Sequence, residues 1–471
     1  MKTHVKGHVL LLGLTTLLLN LSGCGGTGDA ESTPSSTPDP AMSSGAESLE
    51  GSSETPDSSP SNPAENASRE TSVGSVSPTT DEELYRFVMD SWKSEDFSLL
   101  YPYADDTLKA LMSESDFISM FSSVSEIGGA LLSNQYDATT GKDGTVFSAT
   151  LDFENITVDL ILSIHDTKIR GFNRNVHFKR SFELQKDGYV EQYFVLENDG
   201  LQLNAVHTYV ADGQAHPSVL FIGGSGPSDY NETIGLLTPF ADLSEALAKR
   251  GINSLRIDKR TLNYGSDFQA TDTITEEYLL DCGAAIDYLK AQPETASVSL
   301  LGHSLGGQVA AVLAADRDDV ESMILFNSTA RPLIDVLFDQ LAAASPAQKD
   351  LYQTLVDNVK SLTAETATGR NYLGASDHYW ISVNGITVID NIKGAGIPTL
   401  IVNSRSDNQI FEEDVALWQS ELSQDDSVTI YVDDNMSHYG YEIDTKDQGS
   451  LYRRAEMPER LTRLFAGFLT E

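Results

Sequence analysis

The sequence is poor in basic residues and in cysteine. Its 471 residues include 31 Lys and Arg against 70 Asp and Glu, a formal net charge of -39. An excess of negative charge repels nucleic acid and anionic lipid head groups. The chain has no basic stripe with interleaved aromatic residues, so we expect no nucleic-acid partner. The only cysteines are Cys24 and Cys282, so no intramolecular disulfide can form if either is modified.

Sequence signatures of bound metals and nucleotides are also missing. The chain contains no H-E-x-x-H, no cluster of cysteines and no carboxylate-rich calcium loop. Its glycine-rich stretch GGSGP, at 223–227, does not lead into the lysine of a phosphate-binding loop. We therefore expect no metal and no other cofactor.

Long hydrophobic runs are scarce, and one lies near the start of the chain. Residues 9–21 are mostly apolar and follow Lys2 and Lys6, but this run is too short to span a bilayer comfortably. Such a segment is typical of a secretion signal. It ends in Leu-Ser-Gly-Cys, which resembles the bacterial lipobox. The resemblance implies a signal peptide at 1–23 and a lipidated Cys24, carrying chains such as palmitate, that anchors the protein to the extracytoplasmic face of the cell membrane. The alternatives are a signal peptide with a chance cysteine and an uncleaved anchor.

Residues 24–80 are predicted to form a disordered tether. They are rich in Ser, Thr, Pro, Gly and Glu and offer almost no apolar side chains to bury. Such a composition cannot offset the entropy lost on folding. The tether would separate the folded part of the chain from its anchor.

Residues 81–175 are predicted to form a small α+β domain. Apolar residues first recur at helical spacing, as at Leu84, Phe87 and Val88, and the later stretch FSATLDFENITVDLILSIH indicates strands. The segment resembles the small NTF2-like domains that precede secreted bacterial hydrolases. It has no grouping of Ser, His and acid, so we expect a structural or docking role.

Residues 181–471 are predicted to form a larger α/β domain. Antiparallel strands are indicated at 181–216, and strand-like segments such as SVLFI, NSLRI and SVSLL then alternate with helical ones. Repeated alternation of this kind indicates a mostly parallel sheet with helices on both faces.

The stretch LLGHSLGGQ, at 300–308, contains the pattern G-x-S-x-G around Ser304. An apolar strand precedes it and a helical stretch follows it. A strand, a sharp turn and a helix form a nucleophile elbow, where small neighbours make room for a serine in a strained conformation. The alternative is an ordinary turn flanked by glycines. The context favours Ser304 as a nucleophile, with a helix N-terminus beneath the developing negative charge.

A serine nucleophile needs a general base, and the base needs an orienting acid. After an elbow of this kind the chain order is serine, acid, histidine, and only His378 and His438 follow Ser304. His378 precedes the strand at 398–404, so we place it in the region that caps the site. His438 lies just past the last predicted strand and is the predicted base; the alternative is an exposed loop histidine.

The acid is expected in the loop after the strand PTLIVNS. Asp407 lies there, and a buried carboxylate at that point would fix the tautomer of His438 and stabilise its protonated form. Other carboxylates nearby are weaker candidates: Glu412, Asp414, Asp433 and Asp434.

Transition-state charge also requires hydrogen-bond donors. The backbone amide of Leu305, which follows the nucleophile, is one predicted donor. The second should come from the loop after the strand SVLFI, and we choose Ser225, with its neighbour Gly224 as the alternative. That loop could also be a plain tight turn.

From about residue 190 to its end, the chain resembles the α/β-hydrolase superfamily. The resemblance is closest to a secreted bacterial esterase-like branch with features of serine aminopeptidase and dienelactone hydrolase relatives. Besides the predicted triad, the stretches GGSGPSDYN, RIDKR and HYW carry it. It implies an α/β-hydrolase fold. The branch tends to have a basic residue where Tyr230 stands, and we expect this departure at the rim of the pocket, where it would affect substrate preference.

A long, mostly helical excursion at about 331–385 is predicted to form a cap. A cap would supply apolar walls for an acyl group and exclude water. The alternative is a pair of helices packed on the scaffold. Tyr379 and Trp380 either line the pocket or belong to the core.

These features together predict a lipid-anchored serine hydrolase that cleaves a small-molecule carboxylic ester through an acyl-enzyme. The same fold also serves aminopeptidase-like peptidases, which are the alternative among enzymes. Outside enzymes, the alternative is a catalytically idle lipoprotein that binds envelope material.

Overall fold

The computed structural model describes residues 77–444 and 447–470. The predicted signal peptide, Cys24 and nearly all of the predicted tether lie outside the described residues. In the part of the chain that is described, no helix is both long and apolar enough to cross a membrane.

The first domain combines helices with an antiparallel sheet of four strands. Thr80 caps the first helix by accepting a hydrogen bond from the amide of Glu83, and acidic residues fill the first turn, where the helix dipole favours negative charge. In chain order the elements are α1 Asp81–Ser94, α2 Asp106–Leu111, α3 Glu114–Gly128, β1 Leu131–Gly141, β2 Gly144–Phe153, β3 Ile156–His165 and β4 Lys168–Phe178. Buried and exposed side chains alternate along β2 and β3, so one face of the sheet packs on the helices.

A nine-stranded sheet forms the centre of the second domain. Its strands in chain order are β5 Phe182–Gln185, β6 Tyr189–Asn198, β7 Leu201–Val210, β8 His216–Ile222, β9 Asn253–Ile257, β10 Thr295–His303, β11 Met323–Phe326, β14 Thr399–Ser404 and β15 Val428–Asp433. Between β11 and β14 in sequence, β12 Asn371–Tyr372 and β13 Ala375–Ser376 form a separate short pair. The spatial order is β15-β14-β11-β10-β8-β9-β7-β6-β5. Strands β8 to β11, β14 and β15 are parallel, and β5 to β7 extend one edge antiparallel. The carboxyl ends of all the parallel strands therefore meet along one edge of the sheet.

Helices cover both faces of this sheet. Leu300 of β10 packs on one face, in a core shared with α6 Leu280–Lys290 and α7 Leu305–Asp316. Leu301 packs on the opposite face, with α4 Pro239–Ala248 and α13 Glu459–Thr470. Burial on both faces explains why a central strand such as β11, Met-Ile-Leu-Phe, is apolar along its whole length. The remaining helices are α5 Arg260–Tyr264, α11 Val388–Ala395 and α12 Glu412–Leu422.

The excursion between β11 and β14 forms a helical cap. Its helices are α8 Leu333–Ala344, α9 Lys349–Lys360 and α10 Asp377–Asn384. Leu333, Val336 and Leu337 of α8 line the cavity beneath it. Trp380 of α10 is fully buried in the core, and its indole donates to the carbonyl of Tyr372.

The core of the small domain continues onto the antiparallel edge of the large sheet. The ring of Phe178, at the end of β4, lies 5.5 Å from that of Tyr193 and 5.4 Å from that of Tyr230, measured between centroids. The side chain of Asn204 accepts a hydrogen bond from the Phe178 amide at 2.8 Å. Aromatic packing and a buried amide thus fasten the two domains together.

Candidate active site

Ser304 stands between β10 and α7 in a strained backbone conformation. Its φ is 54° and its ψ is -123°, a combination that residues other than glycine rarely adopt. A Cβ on Gly302 would lie 2.1 Å from the Gly306 carbonyl oxygen, and one on Gly306 would lie 2.2 Å from the carbonyl oxygen of Ile222. The close crossing of β8, β10 and α7 therefore requires glycine on both sides of the serine.

His438 and Asp407 contact each other at the carboxyl edge of the sheet. The distance between His438 Nδ1 and Asp407 Oδ2 is 2.7 Å, and both side chains are buried. The other carboxylate oxygen accepts hydrogen bonds from the amides of Gln409 and Ile410, at 2.7 and 3.0 Å, which fixes its orientation. When Nδ1 donates its proton to Asp407, Nε2 of His438 is left as an acceptor.

The other acids considered from the sequence contact different partners. Asp414 is buried and binds Thr329 and Arg331. Asp433 pairs with Arg460, whereas Glu412 and Asp434 both contact Arg405. His378 lies on α10, outside the cavity that His438 lines. Among the acids considered from the sequence, only Asp407 makes a hydrogen bond with the His438 ring.

Ser304 and His438 line one small cavity, with a volume of about 70 Å³. Its walls include Gly224 and Ser225 after β8, and apolar side chains of the cap. Within the described residues, the Ser304 hydroxyl makes no hydrogen bond to the His438 ring. Hydrogen bonds of this kind are often long or poorly aligned before substrate binds.

The two predicted oxyanion donors are the amides of Leu305, which follows Ser304, and of Ser225, which lines this cavity. Leu305 is the first residue of α7, so its amide has no acceptor within the helix. Neither amide donates to another of the residues described. The Gly224 amide, in contrast, donates to Glu232 Oε1 at 2.6 Å, which removes Gly224 as the alternative donor.

A buried pair of Glu232 and His303, which the sequence did not reveal, links the two loops of the site. His303 Nδ1 lies 2.9 Å from Glu232 Oε1, and its Nε2 lies 2.9 Å from the carbonyl oxygen of His438. Burial lowers the pKa of His303, but the Glu232 carboxylate and the His438 carbonyl outweigh it and raise the pKa above its usual value. A protonated ring donates from both nitrogens. His303 thereby ties the Gly224 loop to the backbone of His438.

Lys259 also stabilises the loop that contains Gly224. The Lys259 ammonium donates to the carbonyl oxygens of Gly224 and Gly226, at 3.0 and 2.7 Å, and pairs with Glu277 at 2.7 Å. Burial lowers the pKa of Lys259, and the nearby Glu277 carboxylate opposes this. Glu277 lies in a π-helical turn at 275–279, a feature that is frequent at functional sites. The loop that carries Ser225 is therefore fixed on both sides.

The expectation that Tyr230 lies at the rim of the pocket is wrong. Tyr230 is buried and lines a separate cavity, between the two domains. In the loop at 227–233, the Tyr230 side chain lines that separate cavity and not the one at Ser304. Tyr379 and Trp380 do not line the cavity at Ser304 either, and Trp380 belongs to the core.

The described residues contain no group of three or more His, Cys, Asp or Glu side chains placed to hold a metal ion.

Comparisons with known proteins find similarity to several hydrolases. The family described as "Serine aminopeptidase, S33" matches residues 230–438. Esterase EstD of Thermotoga maritima is 27% identical over 371 residues, which are 76% of this chain and 87% of that protein. Among solved structures, Est1E from Butyrivibrio proteoclasticus has a TM-score of 0.40 at 16% identity and covers 59% of this chain and 99% of its own. The 2,6-dihydroxy-pseudo-oxynicotine hydrolase also has a TM-score of 0.40, at 14% identity, and covers 59% of this chain and 67% of its own.

The strand order and the elbow at Ser304 give the chain the architecture of an α/β-hydrolase fold. The predicted fold class, an α/β-hydrolase domain with a helical cap behind a small α+β domain, is confirmed.

Proposed function

We propose that the protein is a serine esterase that cleaves carboxylic esters through an acyl-enzyme. Ser304 is the nucleophile and His438 the general base that Asp407 orients. The amides of Leu305 and Ser225 bind the oxyanion. The observation that carries this proposal is the 2.7 Å contact between His438 and Asp407, at the cavity that Ser304 also lines. EstD of Thermotoga maritima, named an esterase, supports it.

The reaction proceeds in two halves. His438 Nε2 accepts the hydroxyl proton as Ser304 Oγ attacks the ester carbonyl carbon, and the amides of Leu305 and Ser225 stabilise the oxyanion. The bond from carbon to the alcohol oxygen then breaks, and His438 gives its proton to the leaving alcohol. Water attacks the acyl-enzyme with His438 again as base, which releases the acid and restores Ser304. Asp407 stays ionised throughout.

The cavity favours short acyl groups. Its volume is about 70 Å³, small beside the roughly 300–1,000 Å³ of common ligand pockets. Ile234, Leu333, Val336, Leu337 and Ile410 make much of its wall apolar. We infer that an acetyl or similarly short acyl chain fits, while longer chains require the cap helix α8 to shift.

A peptidase that releases N-terminal residues is the second candidate, because the matching family is described as serine aminopeptidase. Such an enzyme needs a carboxylate for the ammonium group of its substrate. The only acidic residue among the described cavity walls is Glu232, whose Oε1 already binds Gly224 and His303 and whose Oε2 is buried away from the cavity surface. This arrangement favours the esterase.

A fluorophosphonate probe tests the nucleophile. We expect the intact protein to be labelled, Ser304→Ala to resist labelling, and Ser420→Ala, on the exposed face of α12, to label like the intact protein. Labelling that survives Ser304→Ala, or that fails in the intact protein, would remove the mechanism. The probe should be followed by p-nitrophenyl esters and aminoacyl anilides as substrates. Faster turnover of the anilides would favour the peptidase.

We further propose that the chain is anchored on the extracytoplasmic side of the membrane through Cys24. The basic start, the short apolar run and the lipobox-like Leu-Ser-Gly-Cys support this. In bacterial cells fed labelled palmitate, the intact chain should carry the label and sediment with membranes. Cys24→Ala should lose the label, and Cys282→Ala, a buried thiol in the core, should keep it. An unlabelled intact chain would contradict the anchor.

A further inference from the structure

A second and larger cavity, which we call the interdomain chamber, lies between the small domain and the large sheet. Its volume is about 680 Å³, within the roughly 300–1,000 Å³ typical of ligand pockets. Residues of α3 and β4 form one wall, and residues of β6, the loop at 227–233 and the end of β9 form the other. None of Ser304, Asp407 and His438 lines it.

Two tyrosines in the chamber keep their hydroxyl groups without a partner. Tyr189 and Tyr230 are 6% and 7% exposed, and both line the chamber. Neither hydroxyl makes a hydrogen bond with a residue that the structure describes. Arg256 is 1% exposed, and its Nε also lacks a partner among those residues. The two tyrosine hydroxyl groups are therefore available to donate to, and accept from, a polar molecule bound in the chamber.

The charges in the chamber argue against an anionic ligand. Six acidic side chains and four basic ones line it. Arg256 already pairs with Glu191, and Lys186 pairs with Glu126, each at 2.7 Å. Asp258 is fully buried, and burial, followed by the charge of Asp229, raises its pKa well above the usual range. Arg174 donates to the Met120 carbonyl, and neither Arg174 nor Arg454 pairs with a carboxylate among the described residues. Acidic side chains nevertheless outnumber basic ones in the lining, which disfavours an anion.

The rest of the lining suits a neutral molecule with many hydroxyl groups. Four asparagines line the chamber, at positions 173, 175, 204 and 231. The Asn204 amide is already bonded within the protein through both its oxygen and its nitrogen. The side-chain amide of Asn173, the Asn175 side-chain oxygen and the Asn231 NH₂ group make no hydrogen bond with a described residue, so they can accept from or donate to a ligand. Aromatic rings, including those of Phe172 and Tyr193, supply flat apolar surfaces beside them. Sugar rings combine apolar C–H faces with hydroxyl edges that donate and accept.

We propose that the interdomain chamber is a binding site for a neutral saccharide. The site is adjacent to the catalytic cavity but separate from it. Pro227, Ser228 and Thr233 line both cavities, so a wall one loop thick divides them. Binding in the chamber needs no step of the ester chemistry, and its test is independent of the proposed activity.

Isothermal titration calorimetry on the full chain tests this site. The probes are cellobiose and N,N′-diacetylchitobiose as neutral disaccharides, glucose 6-phosphate as an anion and spermidine as a cation. We expect at least one neutral disaccharide to bind, and to bind equally well after Ser304 has been labelled with a fluorophosphonate. Tyr230→Phe removes one hydroxyl and should weaken binding about fivefold to tenfold, and Tyr189→Phe should weaken it in the same direction. Tyr209→Phe is the matched control, since Tyr209 lies on β7 and binds Glu183 outside both cavities.

Several results would overturn the proposal. These are no binding of either neutral disaccharide at millimolar concentration, tighter binding of glucose 6-phosphate or spermidine, and loss of binding after Ser304 is labelled. Unchanged affinity in both Tyr230→Phe and Tyr189→Phe, with circular dichroism showing that both variants are folded, would also overturn it.

Discussion

The variant Glu232→Gln removes the negative charge of Glu232 while keeping the shape of its side chain nearly unchanged. In the intact chain, Glu232 Oε1 accepts from the Gly224 amide at 2.6 Å and faces His303 Nδ1 at 2.9 Å. The variant keeps one acceptor oxygen but loses the charge that favours a protonated His303. It also replaces Oε2, which is buried and has no partner in the described chain, with an NH₂ group that has no acceptor there.

The expected cost follows from these contacts. A hydrogen bond to a charged group contributes about 1.5–3 kcal/mol and a neutral one about 1 kcal/mol, so the variant loses roughly 1–2 kcal/mol across the site. Glu232 holds the loop of Ser225, and His303 holds the backbone of His438. If half or more of this loss is felt in the transition state, kcat/KM falls about twofold to thirtyfold. We expect KM to change less than kcat, because the cavity walls stay in place.

The raised pKa of His303 adds a dependence on pH. Because the folded-state pKa lies above the unfolded value of about 6.5, the contribution of the pair to stability is complete below about pH 6.5. It is lost as the pH rises through the folded-state pKa. The difference in unfolding free energy between the intact chain and Glu232→Gln should therefore be larger at about pH 6 than at about pH 9.

The assays are p-nitrophenyl acetate hydrolysis and urea unfolding at both pH values. Glu183→Gln, in the exposed edge strand β5, is the control and should change neither kcat/KM nor stability. A change in kcat/KM smaller than twofold, together with an unfolding difference that does not depend on pH, would refute the role of the pair.

Three further substitutions test other parts of the site. Asp407→Asn leaves an oxygen for the amides of Gln409 and Ile410 but turns an NH₂ toward His438, which imposes the wrong tautomer. We expect kcat to fall about 10⁴-fold with little change in thermal stability, whereas Asp434→Asn should have no effect; an equal loss in both variants would contradict this. Lys259→Met leaves Glu277 buried without its ion-pair partner, so the free energy of unfolding measured in urea should fall by about 3–5 kcal/mol. The double variant Lys259→Met with Glu277→Gln should lose less. A loss below about 1 kcal/mol in Lys259→Met would contradict this role of the pair. Leu337→Ala enlarges the acyl cavity and should raise the ratio of kcat/KM for butyrate over acetate esters; a constant ratio would contradict the acyl wall.

Most of the fold could be predicted because its elements have strong periodic patterns. Several parallel strands, such as β8 and β11, are rich in apolar residues, and helices alternate with the strands. Strand β1, Leu131–Gly141, was not predicted because most of its side chains are exposed and show no alternation. Its place is set by backbone pairing with β2, which the sequence pattern does not encode. The packing of Phe178 against Tyr193 and Tyr230 likewise depends on tertiary contacts.

The candidate site was predictable where a local motif and chain order sufficed. Ser304, Asp407 and His438 each follow a parallel strand, and the carboxyl ends of such strands converge whatever their distance in sequence. Glu232 lies 71 residues from His303, in a loop with no periodic pattern, so its role became visible only in three dimensions. The rim position expected for Tyr230 failed for a related reason, since sequence does not show which way a loop side chain turns.

The loop at 223–233 lies between the two cavities, and each of its sides faces one of them. Ser225 and Glu232 line the cavity at Ser304, whereas Tyr230 and Asn231 line the interdomain chamber. The end of β9 holds the whole loop: Asp258 accepts from the Tyr230 amide at 2.9 Å, Arg256 donates to Asn231, and Lys259 binds the Gly224 carbonyl. Substitutions at the end of β9 should therefore disturb both cavities together. Substitutions in the cap helix α8 should change only the acyl cavity, since none of its residues reaches the chamber.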